Sequence, residues 1–171
     1  FADDLNESSA FAGDATLAPE PAQTSSNYLR GMVAALKQAG VALTGADLAI
    51  GGNLPMGAGL SSSASLEMAA GLALAALAGA HDIDRTQLAL AGQQAEHDFA
   101  GCQCGIMDQL VSARGQAGAA LLIDCRTLAT RPVTLPGNAA VMIVHSGVSR
   151  GLVDGEYNLR RAQCAAAAAH S

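Results

Sequence analysis

The sequence predicts an α+β fold, and three observations carry that prediction. Hydrophobic residues make up 50% of the 171 positions while aromatics make up only 3%, so a core has to be built from Ala, Leu, Val, Ile and Met, which suits helices packed on a sheet. Apolar residues recur at helical spacing up to about Gly115 and switch to strand spacing from Ala119. Helices and strands do not alternate regularly and there is no internal repeat, which argues α+β.

The elements follow in order. Residues 1–25 are Ser, Ala, Asp, Glu and Pro without periodicity and read as a loop or as the trailing edge of structure encoded upstream. The chain opens on Phe1 rather than Met and is expected to be a fragment. Leu29, Met32, Val33 and Leu36 fall at i, i+3, i+4 and i+7, with Ser25 or Ser26 as N-cap and Gly40 as a stop, the pattern of an amphipathic helix. ADLAIGG (Ala46 to Gly52) reads as a short strand. After Ser63 an apolar helix runs to about Gly79. Its stretch Leu66 to Ala80 is apolar apart from Glu67, too short for a membrane span of about 18 residues, and is expected to be a buried core helix. Asp84 can cap a further helix with Leu88, Ala91 and Ala95 on one face, interrupted by Gly101 and Gly105, and a short helix begins near Ile106. AALLIDC (Ala119 to Cys125), RPVTLP (Arg131 to Pro136) and AVMIVHS (Ala140 to Ser146) read as strands, and GEYNLRRAQCAAAAAH is helical by propensity.

Charge and cysteine usage narrow the function. The net charge is −6, and the nine basic residues form no run, so neither nucleic acid nor an anionic membrane is an expected partner. A small phosphorylated ligand remains open, because backbone N–H groups bind phosphate locally. Cys102, Cys104, Cys125 and Cys164 are read as reduced thiols of a cytoplasmic protein. Cys102, Cys104 and His97 make a weak zinc pattern, with no second cysteine pair to complete it. His81, His145 and His170 are read as surface or hydrogen-bonded structural residues, and Arg160 and Arg161 as surface or ion-paired helix residues with no functional role assigned.

The most informative stretch is PMGAGLSSSAS (Pro55 to Ser65). A strand, a glycine turn and the start of a long helix form an arrangement that binds anions, since the first helical N–H groups lack internal partners and sit at the positive end of the dipole. Gly57 and Gly59 let the backbone approach a phosphate, and Ser61, Ser62 and Ser63 can cap the helix, donate to phosphate oxygens or coordinate a divalent cation. No Lys follows the last glycine, so this is not a Walker A loop. Local composition leaves a capped helix and a phosphate site both open. Glu96 and Asp108 are twelve positions apart with glycines between them, so they share no helix face, but a turn at FAGCQCG could bring them to one cleft.

PMGAGLSSSAS resembles the second, phosphate-binding motif of the GHMP kinase superfamily. Residues Gly92 to Leu128, including CGIMDQ and ALLIDCR, resemble galactokinases, and EYNLRRAQC (Glu156 to Cys164) extends the likeness. The resemblance implies a ribosomal protein S5 domain 2-like N-terminal domain over 26–130 and the start of a ferredoxin-like C-terminal domain over 131–171. It implies ATP and galactose as substrates, Mg2+ as cofactor and a monomer at full length. Gly57, Ala58, Gly59, Leu60, Ser61, Ser62 and Ser63 match the ATP phosphate loop, and Ser63 and Glu96 match the Mg2+ ligands. Asp108 matches the catalytic base facing the sugar C1 hydroxyl, and Tyr157 a tyrosine that hydrogen-bonds the sugar. Without the family, Asp108 is a first-turn helix acid and Tyr157 a half-buried helix residue with a wet hydroxyl.

Nothing before Asn27 resembles the family's first motif, and its third glycine-rich motif is not reached. The chain is therefore expected to be a central piece, inactive in isolation. The alternatives are an N-acetylgalactosamine or other GHMP sugar kinase, and a non-catalytic galactose and ATP sensor that regulates transcription. The intact Ser63-Ala64 pair, with Glu96 and Asp108, favours catalysis over the sensor.

Overall fold

The structure, a computed structural model, describes residues 7–13, 16–21, 24–145, 147 and 156–169. The first helix, α1, spans Thr24–Gln38. Its apolar stripe faces inward, with Met32 and Leu36 fully buried and Val33 nearly so. Gly40 adopts a φ of 86°, the left-handed conformation that ends helices. Ser25 and Ser26 lie inside this helix rather than at its cap, because helical geometry already begins at Thr24. Buried Asn27 accepts from Glu20 N at 2.8 Å and donates to Glu20 O at 3.2 Å, which pins the preceding segment to the helix.

Helix α2 spans Ser62–Leu77 and α3 spans Arg85–Ala95. Asp84 caps α3 as its sequence predicts, accepting from Thr86 N at 2.8 Å and Gln87 N at 2.9 Å, a bond type worth about 1 kcal/mol to the helix. Leu88, Ala91 and Ala95 all face the core. The helical path continues as one π-helical turn, Glu96–Ala100, closed by Gly101 at a φ of 72°. Helix α4 follows at Met107–Arg114.

Helix α3 is the hub, packed against α1, α2 and α4. Met32, Leu36, Leu88 and Leu110 are each 0% exposed at its surface, and each such side chain stabilises the fold by roughly 1.5–3 kcal/mol. The α1–α3 crossing depends on Gly31, where an added Cβ would lie 2.6 Å from Ala95 Cβ.

Strands β1 (Ala119–Ile123) and β2 (Thr130–Thr134) form an antiparallel pair, with Ala119 opposite Thr134 and Ile123 opposite Thr130. Asp124 turns the chain between them by accepting from Arg126 N at 2.9 Å and Thr127 N at 3.3 Å. Ile123 packs on the helical core and β1 touches α4. Helix α5 covers Glu156–Ala168, and the α+β class stands.

Two expected strands are corrected. Ala46–Gly52 holds only an isolated bridge at Ile50, although Leu48 and Ile50 alternate with exposed neighbours as a strand would. Residues 140–145 form no strand, and Val141, Met142, Ile143 and Val144 are 76%, 84%, 65% and 79% exposed. Ser146 at the end of that run, and His170, lie outside the described residues. Apolar alternation makes a pleated surface suitable, but a strand exists only where another backbone pairs with it.

Candidate functional site

The glycine stretch leads into α2 through three left-handed residues spaced two apart, Gly57 at 67°, Gly59 at 74° and Ser61 at 55° in φ. Such alternation turns successive N–H groups toward one concavity. Ser61 occupies the N-cap position of α2, yet its side chain makes no capping bond. A simple capped helix therefore does not account for Ser61. A cavity of about 330 Å³ opens beside the loop, between Leu54, Leu60 and Ser61, the α2 residues Ser65 and Met68, and Ser112 of α4.

Ser63, in the first turn of α2, donates to Glu96 Oε1 at 3.0 Å across 33 positions of sequence. Glu96 begins the π-helical turn and is only 3% exposed. Turns of this kind re-aim side chains and recur at functional sites. Its second oxygen, Oε2, accepts from Gln109 Nε2 at 2.6 Å and from the Cys104 thiol at 3.2 Å. Gln109 Nε2 also donates to Glu67 Oε2 at 3.1 Å. Gly92 on α3 leaves the room for this cluster, since a Cβ there would lie 3.1 Å from Glu67 Oε2 and 3.2 Å from Gln109 Cγ.

Glu67 is fully buried, and its carboxyl is pushed up from 4.5 to about 9, first by burial and then by the charge of Glu96, with Asp108 adding to the rise and the Gln109 hydrogen bond opposing it. Glu67 Oε1 and Gln109 Oε1 are both buried without a hydrogen-bond partner among the described residues. Protonation gives Glu67 a hydroxyl donor and removes a buried charge beside Glu96, which is the direction its raised pKa indicates. Burial, reinforced by Glu96, also raises the Cys104 thiol and the Tyr28 hydroxyl, so both remain protonated donors. His97 Nε2 meets the Cys104 carbonyl oxygen at 2.9 Å. No three His, Cys, Asp or Glu side chains gather as a metal cluster among the described residues.

Asp108 stands in the first turn of α4, half-buried and next to Gln109. Its charge reaches both Glu67 and Cys102, so it belongs to the same electrostatic neighbourhood. Helix α5 returns to the loop that joins the two acids. The Tyr157 hydroxyl accepts from Gly105 N at 3.2 Å, which leaves its own hydrogen free to donate. Asn158 accepts from Gln103 N at 2.9 Å and donates to Gly101 O at 2.9 Å, and Arg161 donates to Gln103 O at 2.7 Å.

Thus the structure joins Ser63 and Glu96 directly, sets Asp108 beside their buried support, and brings Tyr157 to the connecting loop. Sequence reasoning missed Glu67, Gln109, Asn158 and Arg161. One signal was present, since Glu67 is the single charge in the apolar run Leu66 to Ala80, and a lone charge kept in a buried helix needs a partner.

The donor set fits Mg2+. Ser63 Oγ and Glu96 Oε1 are two hard oxygens 3.0 Å apart, and adjacent ligands of an octahedral ion at about 2.1 Å are separated by about 3 Å. One or two protein oxygens, with phosphates and water completing the shell, is the usual way this ion is held.

The family described as GHMP kinases N terminal domain matches residues 27–116, which contain the glycine loop, Glu96 and Asp108. Among solved structures, the chain is similar to a galactokinase of Lactococcus lactis crystallised with galactose, at 30% identity and a TM-score of 0.69. The match covers 96% of this chain and 40% of that one.

Proposed function

Because the chain belongs to the GHMP kinase N-terminal domain family, we propose that the protein is a sugar kinase and, more narrowly, a galactokinase. It transfers the γ-phosphate of MgATP to the C1 hydroxyl of α-D-galactose, giving galactose 1-phosphate and ADP. The observation that carries this reading is the 3.0 Å hydrogen bond from Ser63 to Glu96, which ties the glycine loop to a buried acid. The likeness to a galactokinase crystallised with galactose supports the choice of sugar.

In this reading the N–H groups from Gly57 to Ser63 hold the ATP phosphates, and Ser63 and Glu96 hold Mg2+. The bound ion supplies charge neutralisation and orientation of the phosphates. Asp108 accepts the proton of the C1 hydroxyl while that oxygen bonds to the γ-phosphorus and the bond to the ADP oxygen breaks. Tyr157 donates its hydroxyl hydrogen to the sugar. Residues 26–130 form the ATP-binding domain and 131–171 begin a second one, in a monomeric cytoplasmic enzyme.

The test is Asp108→Asn in the purified full-length protein that contains this chain, assayed for ADP release with galactose, N-acetylgalactosamine and related sugars. Turnover with galactose is expected to fall by roughly 10²–10⁴-fold, the usual contribution of a positioned base, with nucleotide affinity unchanged. Full activity in the variant removes Asp108 from the reaction. Preference for N-acetylgalactosamine replaces the substrate, and binding of both ligands without transfer favours a sensor.

A further inference from the structure

We infer that Gln109 is a positioning residue that fixes the rotamer of Glu96, with Glu67 as its anchor, so that one Glu96 oxygen is held for Mg2+ at Ser63. The inference rests on the proposed role of Glu96 in holding the ion. A carboxylate offers two oxygens, and here they are divided. Oε2 is taken up inside the protein by Gln109 Nε2 at 2.6 Å and Cys104 Sγ at 3.2 Å, while Oε1 faces Ser63 at 3.0 Å. Without Gln109 the carboxylate can rotate and divide itself differently.

The amide of Gln109 is itself fixed. Both hydrogens of its Nε2 are used, one on Glu96 Oε2 and one on Glu67 Oε2. The opposite orientation would put the amide oxygen against the Glu96 carboxylate. Glu67 lies one helical turn beyond Ser63 on α2 and therefore on the same face. Ser63, Glu96, Gln109 and Glu67 thus close a ring across α2, the π-helical turn and α4. Gln109 and Glu67 are each 0% exposed, so neither is placed to touch a ligand. Their effect passes through Glu96.

The experiment compares Gln109→Met, Glu67→Gln, Glu67→Leu and Glu96→Ala in the purified protein. Mn2+ binding in the presence of a non-hydrolysable ATP analogue is followed by electron paramagnetic resonance, with analogue binding without metal as a control. Gln109→Met and Glu67→Leu are expected to weaken Mn2+ about tenfold or more, the typical effect of losing a group that orients a metal ligand. Binding of the analogue alone stays unchanged. Glu67→Gln, which preserves the pairing with Gln109, is expected to bind Mn2+ as the parent does. A Gln109→Met protein that loses thermal stability but binds Mn2+ normally, while Glu96→Ala does not bind it, overturns the positioning role alone. Normal Mn2+ binding by Glu96→Ala overturns the reading beneath it. If Gln109→Met does not fold, Gln109→Asn, which withdraws the amide by one methylene, is read by the same criteria.

Discussion

The helical region from α1 to α4 and the region from β1 to α5 bury their apolar residues very differently. In the first, Met32, Leu36, Leu88 and Leu110 are at 0% exposure, and the same helices carry a buried acid cluster. In the second, Val141 to Val144 stand 65–84% exposed, and α5 reaches the helices through the polar bonds of Tyr157, Asn158 and Arg161. Among the described residues, the first region is organised by packing, whereas in the second Ile123 of the β1–β2 pair packs on that core and α5 is held by hydrogen bonds to a single loop. The buried core therefore lies mainly in the first region, to which the described part of the second adds Ile123 and the polar contacts of α5.

The largest expected effect separates the two regions outright. Leu110→Ala, at the centre of the helical core, is expected to destabilise the protein by about 2–5 kcal/mol in urea unfolding. A loss under 1 kcal/mol would show that the core does not bear the stability assigned to it.

A middle-sized effect concerns Glu67 and pH. Its acid is raised from 4.5 to about 9 in the fold, so between those values the folded chain keeps a proton that the unfolded chain releases. Stability must then fall as pH rises through this window, by up to about 1.4 kcal/mol per unit. Glu67→Gln imitates the protonated acid and is expected to flatten that slope between pH 5.5 and 8.5. Equal slopes in both proteins would mean that Glu67 is ionised in the folded state.

The smallest effect is expected in the second region. Ile143→Thr, at a position 65% exposed, should change unfolding stability by no more than about 0.5 kcal/mol, as surface substitutions do. A loss above 2 kcal/mol would reveal packing on this segment and erase the contrast between the regions.

What could be read from the sequence divides along the same line, between local and distant partners. The apolar helix expected after Ser63, which begins at Ser62, the Asp84 cap and the stop at Gly40 are written in a few neighbouring residues. The glycine loop and Glu96 were singled out through family resemblance, and the fold joins Ser63 to Glu96 by a hydrogen bond. The Gln109–Glu67 pair spans 42 positions, and nothing in either residue's neighbourhood names the other. Arg161 was assigned no role for the same reason, since its carbonyl partner on Gln103 lies 58 positions away. The two overpredicted strands fail conversely: AVMIVHS has the right period, but pairing depends on a distant backbone.

Ser61 has a final consequence. It is a non-glycine residue held at a φ of 55° at the mouth of α2, a conformation that costs an L-residue about 1–2 kcal/mol. That energy is set against the whole fold when the chain folds, so the loop stands in its curved form before any ligand arrives. In the proposed reading, an incoming phosphate would meet a loop already ordered and lose little of its affinity to ordering the backbone. Glycine at position 61 would lower that cost, because it takes a positive φ without a Cβ penalty, but it would also leave the loop freer to adopt other shapes.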